Sequence, residues 1–288
     1  MRGSTSATAA MAAMAAPYQT NVRLTSTVRF VTLVTVRRRS YILIGVAVLV
    51  VALVVGGVLI WRTLDDTEPV TASDALTEYR ESPTPGEAAP GLPGPGVYEY
   101  AVTGSEQLSR GPVDIDRALP AVAPMLVRHQ DGGYDTDVRY SDGHTELSRY
   151  ELRPQGAFVT FARTVVKTPV STTTRDREWT PNLLRLPIAP KVGETWGGPF
   201  TAGDLELQIE NEVLRRETVD VGGRPVSAFV IESRQDITGE YTGSRTETFW
   251  YAPARGLVVR YAIDSTLDGP TDFDIRAEQT LRSLSPRT

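Results

Sequence analysis

From Val97 on, the dominant period of the apolar residues is two, and that alternation decides what this chain can fold into. Successive side chains of a β-strand point to opposite faces, so a period of two marks a sheet with one face away from water. Tyr98, Tyr100 and Val102 share one face, with Glu99 on the other. Tyr134, Thr136, Val138 and Tyr140 alternate with Asp135, Asp137 and Arg139. The pattern returns at Leu205, Leu207 and Ile209, at Leu257, Val259, Tyr261 and Ile263, and at Phe273 and Ile275. Asp142-Gly143 reads as a hairpin turn with 145–153 as the returning strand, and Gly222-Gly223-Arg224-Pro225 separates two more apolar runs. Pro253 and Gly256 supply the turn between 246–251 and 257–265. Only 115–127 is ambiguous, and Pro120 and Pro124 interrupt it.

Strands with one wet face pair antiparallel. The expected fold is all-β: an antiparallel meander of roughly eight to ten strands, forming a curved sheet or partly closed barrel, preceded by one transmembrane α-helix. A two-sheet sandwich is the alternative. With few helices to cover it, the apolar face must fold onto itself or hold a ligand. There is no cysteine, so no disulfide, thiolate metal site, cysteine nucleophile or lipidated cysteine is available. A domain of about 190 residues can bury enough surface to stand on its core alone.

Residues 41–61, YILIGVAVLVVALVVGGVLIW, are 21 positions without a charge. At helical rise they span about 31 Å, the hydrocarbon thickness of a bilayer. Tyr41 and Trp61 stand at the ends, where amphipathic rings favour the interface. Arg37, Arg38 and Arg39 precede the run and Asp65 and Asp66 follow it, which places the N-terminus in the cytoplasm and residues 62–288 outside. The run is longer than a signal-peptide core and lacks a small-x-small cleavage site, so an uncleaved signal anchor in the cell membrane is expected. Gly45, Ala52 and Gly56 share one helix face, and small residues there can let helices approach or can simply be membrane glycine usage.

Residues 1–40 form a basic, disordered cytoplasmic tail, and residues 62–96 a linker, acidic first and then rich in proline and glycine. Within the linker, 74–81 reads as a short helix capped by Ser73 or Thr71, with Leu76 and Tyr79 on one side. Residues 97–288 make the extracytoplasmic domain, with 22 basic and 28 acidic residues and a net charge of −6. An acidic domain is a poor match for nucleic acid. Of the chain's 30 basic residues, 28 are arginine, a bias that accompanies high-GC bacterial genomes.

Catalytic sets are missing. Neither Gly-x-Ser-x-Gly nor Ser-x-x-Lys occurs, and there is no phosphate loop or dinucleotide fingerprint. The two histidines, His129 and His144, sit beside predicted turns, where exposure is the ordinary outcome. Asp131, Asp135 and Asp137, and the series Asp264, Asp268, Asp272 and Asp274, have oxygens at calcium-like spacing, but neither matches an EF-hand and a solvated strand face explains both. No metal and no cofactor is expected.

Leu186-Pro-Ile-Ala-Pro190 followed by Val192-Gly-Glu-Thr-Trp196, and Phe249-Trp-Tyr-Ala-Pro-Ala-Arg-Gly-Leu-Val258, resemble segments of uncharacterised actinobacterial-type envelope proteins. Those families are distantly similar to lipoprotein-carrier folds, in which a curved antiparallel sheet cups an apolar ligand. The sheet's large apolar face, the aromatic-rich motifs and the lack of a catalytic set point to a non-enzymatic domain that binds an apolar or amphiphilic ligand or an envelope partner protein. Tyr98, Tyr100, Trp196, Phe249, Trp250 and Tyr251 are the candidate ligand-binding residues, with Trp179 a further aromatic, and core packing is their structural alternative. The expected associations are thus the lipid bilayer through 41–61, a lipid-like ligand or an envelope protein, and no nucleic acid. Two other functions fit: a structural or regulatory protein–protein interaction module, and a cell-wall hydrolase using two carboxylates about 5–10 Å apart.

Overall fold

The computed structural model describes residues 68–82, 91–111, 113–168 and 171–288. The anchor and topology residues Tyr41, Gly45, Ala52, Gly56, Trp61, Arg37, Arg38 and Arg39 lie outside the described residues. Among those described, no helix is long and apolar enough to cross a membrane.

Helix α1 (Ala72–Glu81) begins where the Thr71 side chain accepts from the Asp74 N–H, while Asp74 bonds back to the Thr71 N–H, a reciprocal cap. Thr71, rather than Ser73, is thus the cap. The helix is more than a spacer. Ala75, Leu76 and Tyr79 are buried against Val97 and Leu126, and Glu78 pairs with both Arg128 and Arg139.

Thirteen strands follow: β1 (Gly96–Arg110), β2 (Val113–Ala118), β3 (Val122–Gln130), β4 (Gly133–Ser141), β5 (His144–Arg153), β6 (Gly156–Thr168), β7 (Ser171–Pro187), β8 (Thr195–Ala202), β9 (Leu205–Val221), β10 (Arg224–Gly239), β11 (Thr242–Ala252), β12 (Leu257–Asp268) and β13 (Asp272–Leu281). From β3 to β13 each strand pairs antiparallel with the next. The circuit then closes: β1 pairs with β13 from Tyr100↔Leu281 to Ser109↔Asp272. On its other side β1 pairs with β3 over Gly96–Ala101 and with β2 over Ser105–Arg110. The ambiguous stretch 115–127 is therefore a bent pair of strands sharing one neighbour. The result is a closed antiparallel barrel of twelve strands, more than the eight to ten expected and fully rather than partly closed. Closure removes the open edges that a meander would leave.

Gly104 permits this closure. Its φ is +138°, and a Cβ there would lie 2.1 Å from the Arg276 carbonyl oxygen. It sits where β1 changes partner from β3 to β2 while staying paired to Ala277 of β13. Gly104→Ala is expected to cost about 1–3 kcal/mol in urea denaturation, the size of one strained backbone position. An unchanged midpoint would show that β13 can shift to make room.

The barrel is thinly paired in two places: β2 has a ladder with β1 only, and the β7–β8 seam is weak. β7 and β8 share a single paired position, Thr180↔Thr201. Pro181 and Pro199 flank that position and have no N–H to offer the ladder. One end of the barrel carries the turns 142–143, 203–204, 240–241 and 269–271. We call it the near end; the far end carries the turns 131–132, 154–155, 222–223 and 253–256.

Candidate functional site

A barrel of about eight strands is just wide enough for side chains to fill; wider ones enclose space. Twelve strands here leave an internal cavity of about 380 Å³, within the roughly 300–1,000 Å³ of small-molecule sites. Every strand except β8 contributes to its wall. Toward the far end the wall is aromatic, with Tyr100, Tyr134, Tyr150, Phe249 and Tyr261. Tyr134 and Tyr150 stack at 4.8 Å, and Phe249 stacks on Tyr261 at 5.4 Å. Residues 91–95 cross this end: Leu92 packs on the core, the Pro93 carbonyl lies 2.8 Å from His129 Nε2, and Gly256 fits so closely under Gly91 that a Cβ would meet its oxygen at 2.4 Å. Burial raises the hydroxyl pKa of Tyr100 and Tyr134 well above the usual tyrosine range. The far end is aromatic and covered by residues 91–95.

The near end differs. Its inward residues on β7, Ser171, Thr173, Arg175, Arg177 and Trp179, are all partly exposed. Past the seam Thr173, Arg175 and Arg177 run beyond the end of β8, because Thr180 is already opposite Thr201 and β8 ends at Ala202. The gap is bridged by side chains instead. Arg175 Nε lies 2.9 Å from Glu240 Oε1 and Arg177 Nη2 lies 3.2 Å from Oε2, with Glu240 in the β10–β11 turn. Arg177 also lies over the Tyr241 ring at 6.0 Å.

Two buried polar groups are set into this wall. Glu247 on β11 accepts from Gln235 Nε2 at 2.5 Å and from the Tyr261 hydroxyl at 2.6 Å, and it ion-pairs with Arg185 of β7 at 2.9 Å. Arg185 lies 4.0 Å over the Phe249 ring. Burial alone would push the Glu247 carboxyl up, but the Arg185 and Arg245 cations hold it below the usual range. The second group centres on His144, the first residue of β5, with no exposed surface. Its Nδ1 lies 2.6 Å from Glu106 Oε2, and its Nε2 lies 3.5 Å from Glu146. Arg117 pairs with the other Glu106 oxygen, and the Tyr140 and Phe273 rings cover the imidazole. Burial would lower the imidazole pKa; Glu106 and Glu146 outweigh it and raise it to about 9. The expectation of exposed turn histidines fails here: His144 follows a turn, but its side chain points inward.

Of the six candidate ligand residues, Tyr100 and Phe249 line the cavity. Tyr98, Trp250 and Tyr251 are buried in the same apolar cluster, Trp250 beneath the Arg260 guanidinium at 4.6 Å. Trp196 is not among the lining residues and donates to the Leu184 carbonyl at 2.9 Å. Trp179 is part of the wall. Three of the seven aspartates in the acidic clusters stand in ion pairs: Asp135 with Arg149, Asp137 with Arg139 and Asp264 with Arg276. Among the described residues no three His, Asp or Glu side chains converge as metal ligands. Sequence reading missed the charged wall, Arg175, Arg177, Arg185, Arg245, Glu146 and Glu247. The one available signal was their place on the inward parity of each strand.

No family model matches the chain, and no curated protein does. Two solved structures are distantly similar. One is the hypothetical lipoprotein YmcC from Escherichia coli (K12), 15% identical over 66% of this chain and 86% of that one, with a TM-score of 0.33. The other is a DUF1329 family protein from Desulfovibrio piger, 10% identical over 73% and 92%, with a TM-score of 0.20.

Proposed function

We propose that the barrel is a non-enzymatic binding domain that holds an apolar or amphiphilic molecule in its interior. The observation that carries this reading is the cavity of about 380 Å³, aromatic and covered at one end and partly exposed at the other. Apolar burial in such a space contributes about 25 cal/mol per Å² of ligand surface. The buried carboxylates support binding over catalysis: both Glu247 oxygens and both Glu106 oxygens are already answered by cations or donors. The sequence of 41–61 supports a membrane-tethered setting outside the cytoplasm.

The test is photolabelling of the full chain with a sixteen-carbon fatty acid carrying a diazirine near its tail, followed by peptide mass spectrometry. The expected label falls on far-end wall residues such as Tyr100, Tyr134 and Phe249. Label confined to 41–61 would refute an occupied interior and favour an interaction module instead.

A further inference from the structure

Resting on the reading of the barrel as a binding domain, we infer that its ligand carries an anionic headgroup, held at the near end by Arg175, Arg177 and Arg245. The cavity's polarity is not symmetric. Its aromatic end is covered by residues 91–95, so the apolar part of a ligand lies there and the polar part is left at the near end. Arginine dominates what waits at that end. Arg175 and Arg177 share one carboxylate, Glu240, between two guanidinium groups. Arg245 lines the same cavity, and among the described residues no carboxylate lies within ion-pair distance of it, although its charge also acts on Glu247; its Nε donates to the Ser265 hydroxyl at 3.4 Å. Arg110, exposed at the end of β1, also borders the space. Two inward carboxylates are committed, Glu247 to Arg185 and Glu106 to His144 and Arg117, while Glu146, 38% exposed on the same wall, faces His144 Nε2 at 3.5 Å, so the arginines outnumber the carboxylates there rather than standing alone.

A guanidinium presents a fork of N–H donors matched to carboxylate and phosphate oxygens. Two such forks around one glutamate form an arrangement in which an incoming anion can replace Glu240. The same contact spans the β7–β8 gap, so the headgroup is recognised where the ligand passes into the barrel. A cationic headgroup would face three guanidinium groups, and a neutral one would leave them as they are.

Binding of three amphiphiles of equal chain length to the full chain tests this: palmitate, hexadecanol and hexadecyltrimethylammonium, each competing with the diazirine fatty acid for labelling of the far-end wall. Acetate and inorganic phosphate supply the headgroup without the chain. Palmitate is expected to compete at least tenfold better than hexadecanol, and acetate and phosphate not at all. Arg175→Gln/Arg177→Gln and Arg245→Gln should each weaken palmitate about tenfold, the scale of one charge-assisted contact, and leave hexadecanol unchanged. Glu240→Gln should tighten palmitate, an outcome that misfolding cannot imitate. Equal competition by palmitate and hexadecanol would overturn the headgroup inference while leaving the apolar cavity in use. Competition by phosphate alone would reassign the arginines to a free anion. Absence of wall labelling by any chain would overturn the binding function itself.

Discussion

Replacing Glu247 with leucine is expected to lower the stability of the barrel by about 3–5 kcal/mol, the cost of breaking a buried ion pair from one side. Glu247 is 3% exposed and is the common acceptor for Arg185, Gln235 and Tyr261. Its loss leaves a guanidinium and two neutral donors facing apolar side chain. The Phe249 ring beneath Arg185 offsets only part of that, since a cation–π contact contributes about 0.5–2 kcal/mol. Removing both charges is gentler than removing one. A Glu247→Leu/Arg185→Met variant should therefore unfold at a urea concentration closer to the wild type than Glu247→Leu does. A cost under about 1 kcal/mol for the single variant, the size of an exposed pair, would show that water reaches this group and that the cavity is wetter than its walls suggest.

Stability is also expected to fall as the solution is made alkaline. An imidazole free in the unfolded chain titrates near 6.5, and in the fold the carboxylates beside His144 raise it to about 9. Between those values the folded chain binds a proton that the unfolded chain has released, so rising pH favours unfolding. The contribution is complete below pH 6.5 and is lost as pH rises through about 9. At about 1.4 kcal/mol per pH unit, it is of the order of 3 kcal/mol. Glu106 acts in the opposite direction: His144 and Arg117 overcome its burial and lower its pKa, so its contribution is lost on acidification, outside this window. Urea midpoints measured between pH 6 and 9.5 give the slope directly. His144→Gln should abolish it, and a slope that survives in that variant would assign the effect to another group.

The strands were legible because burial on one face writes itself into every second residue. β9 could be read position by position and β4 on its inward face, though Asp137 on the face expected to be wet is buried beside the Arg139 that Glu78 of α1 also holds; the turns at 142–143 and 253–256 stand where glycine, aspartate and proline put them. The count fell short for a physical reason. β7 begins STTTRDREW, and its inward residues there are serine, threonine, two arginines and tryptophan. A strand that faces a partly wet, cationic mouth has no apolar stripe to display. Closure was illegible for another reason: Tyr100 and Leu281 announce no local pattern that pairs them. The same limit hid the site. Arg175 and Arg245 come from different strands, and only the barrel's circumference brings them to one cavity, with Glu240 of a third element paired to Arg175. His144 was misread because a residue next to a turn can still fall on the inward parity of its strand.

The pairing of β1 with β13 also has a consequence in time. Loop closure becomes more costly as the joined segments lie further apart along the chain, and these are the first and last strands of the domain. During synthesis, β1 emerges early and must wait for β13. Neighbouring hairpins can form as they appear, but until residue 281 is available the growing sheet has two unprotected borders. Folding of this domain is therefore slow for its size, and the interval before the ring shuts is when it is most exposed to pairing with another copy of itself.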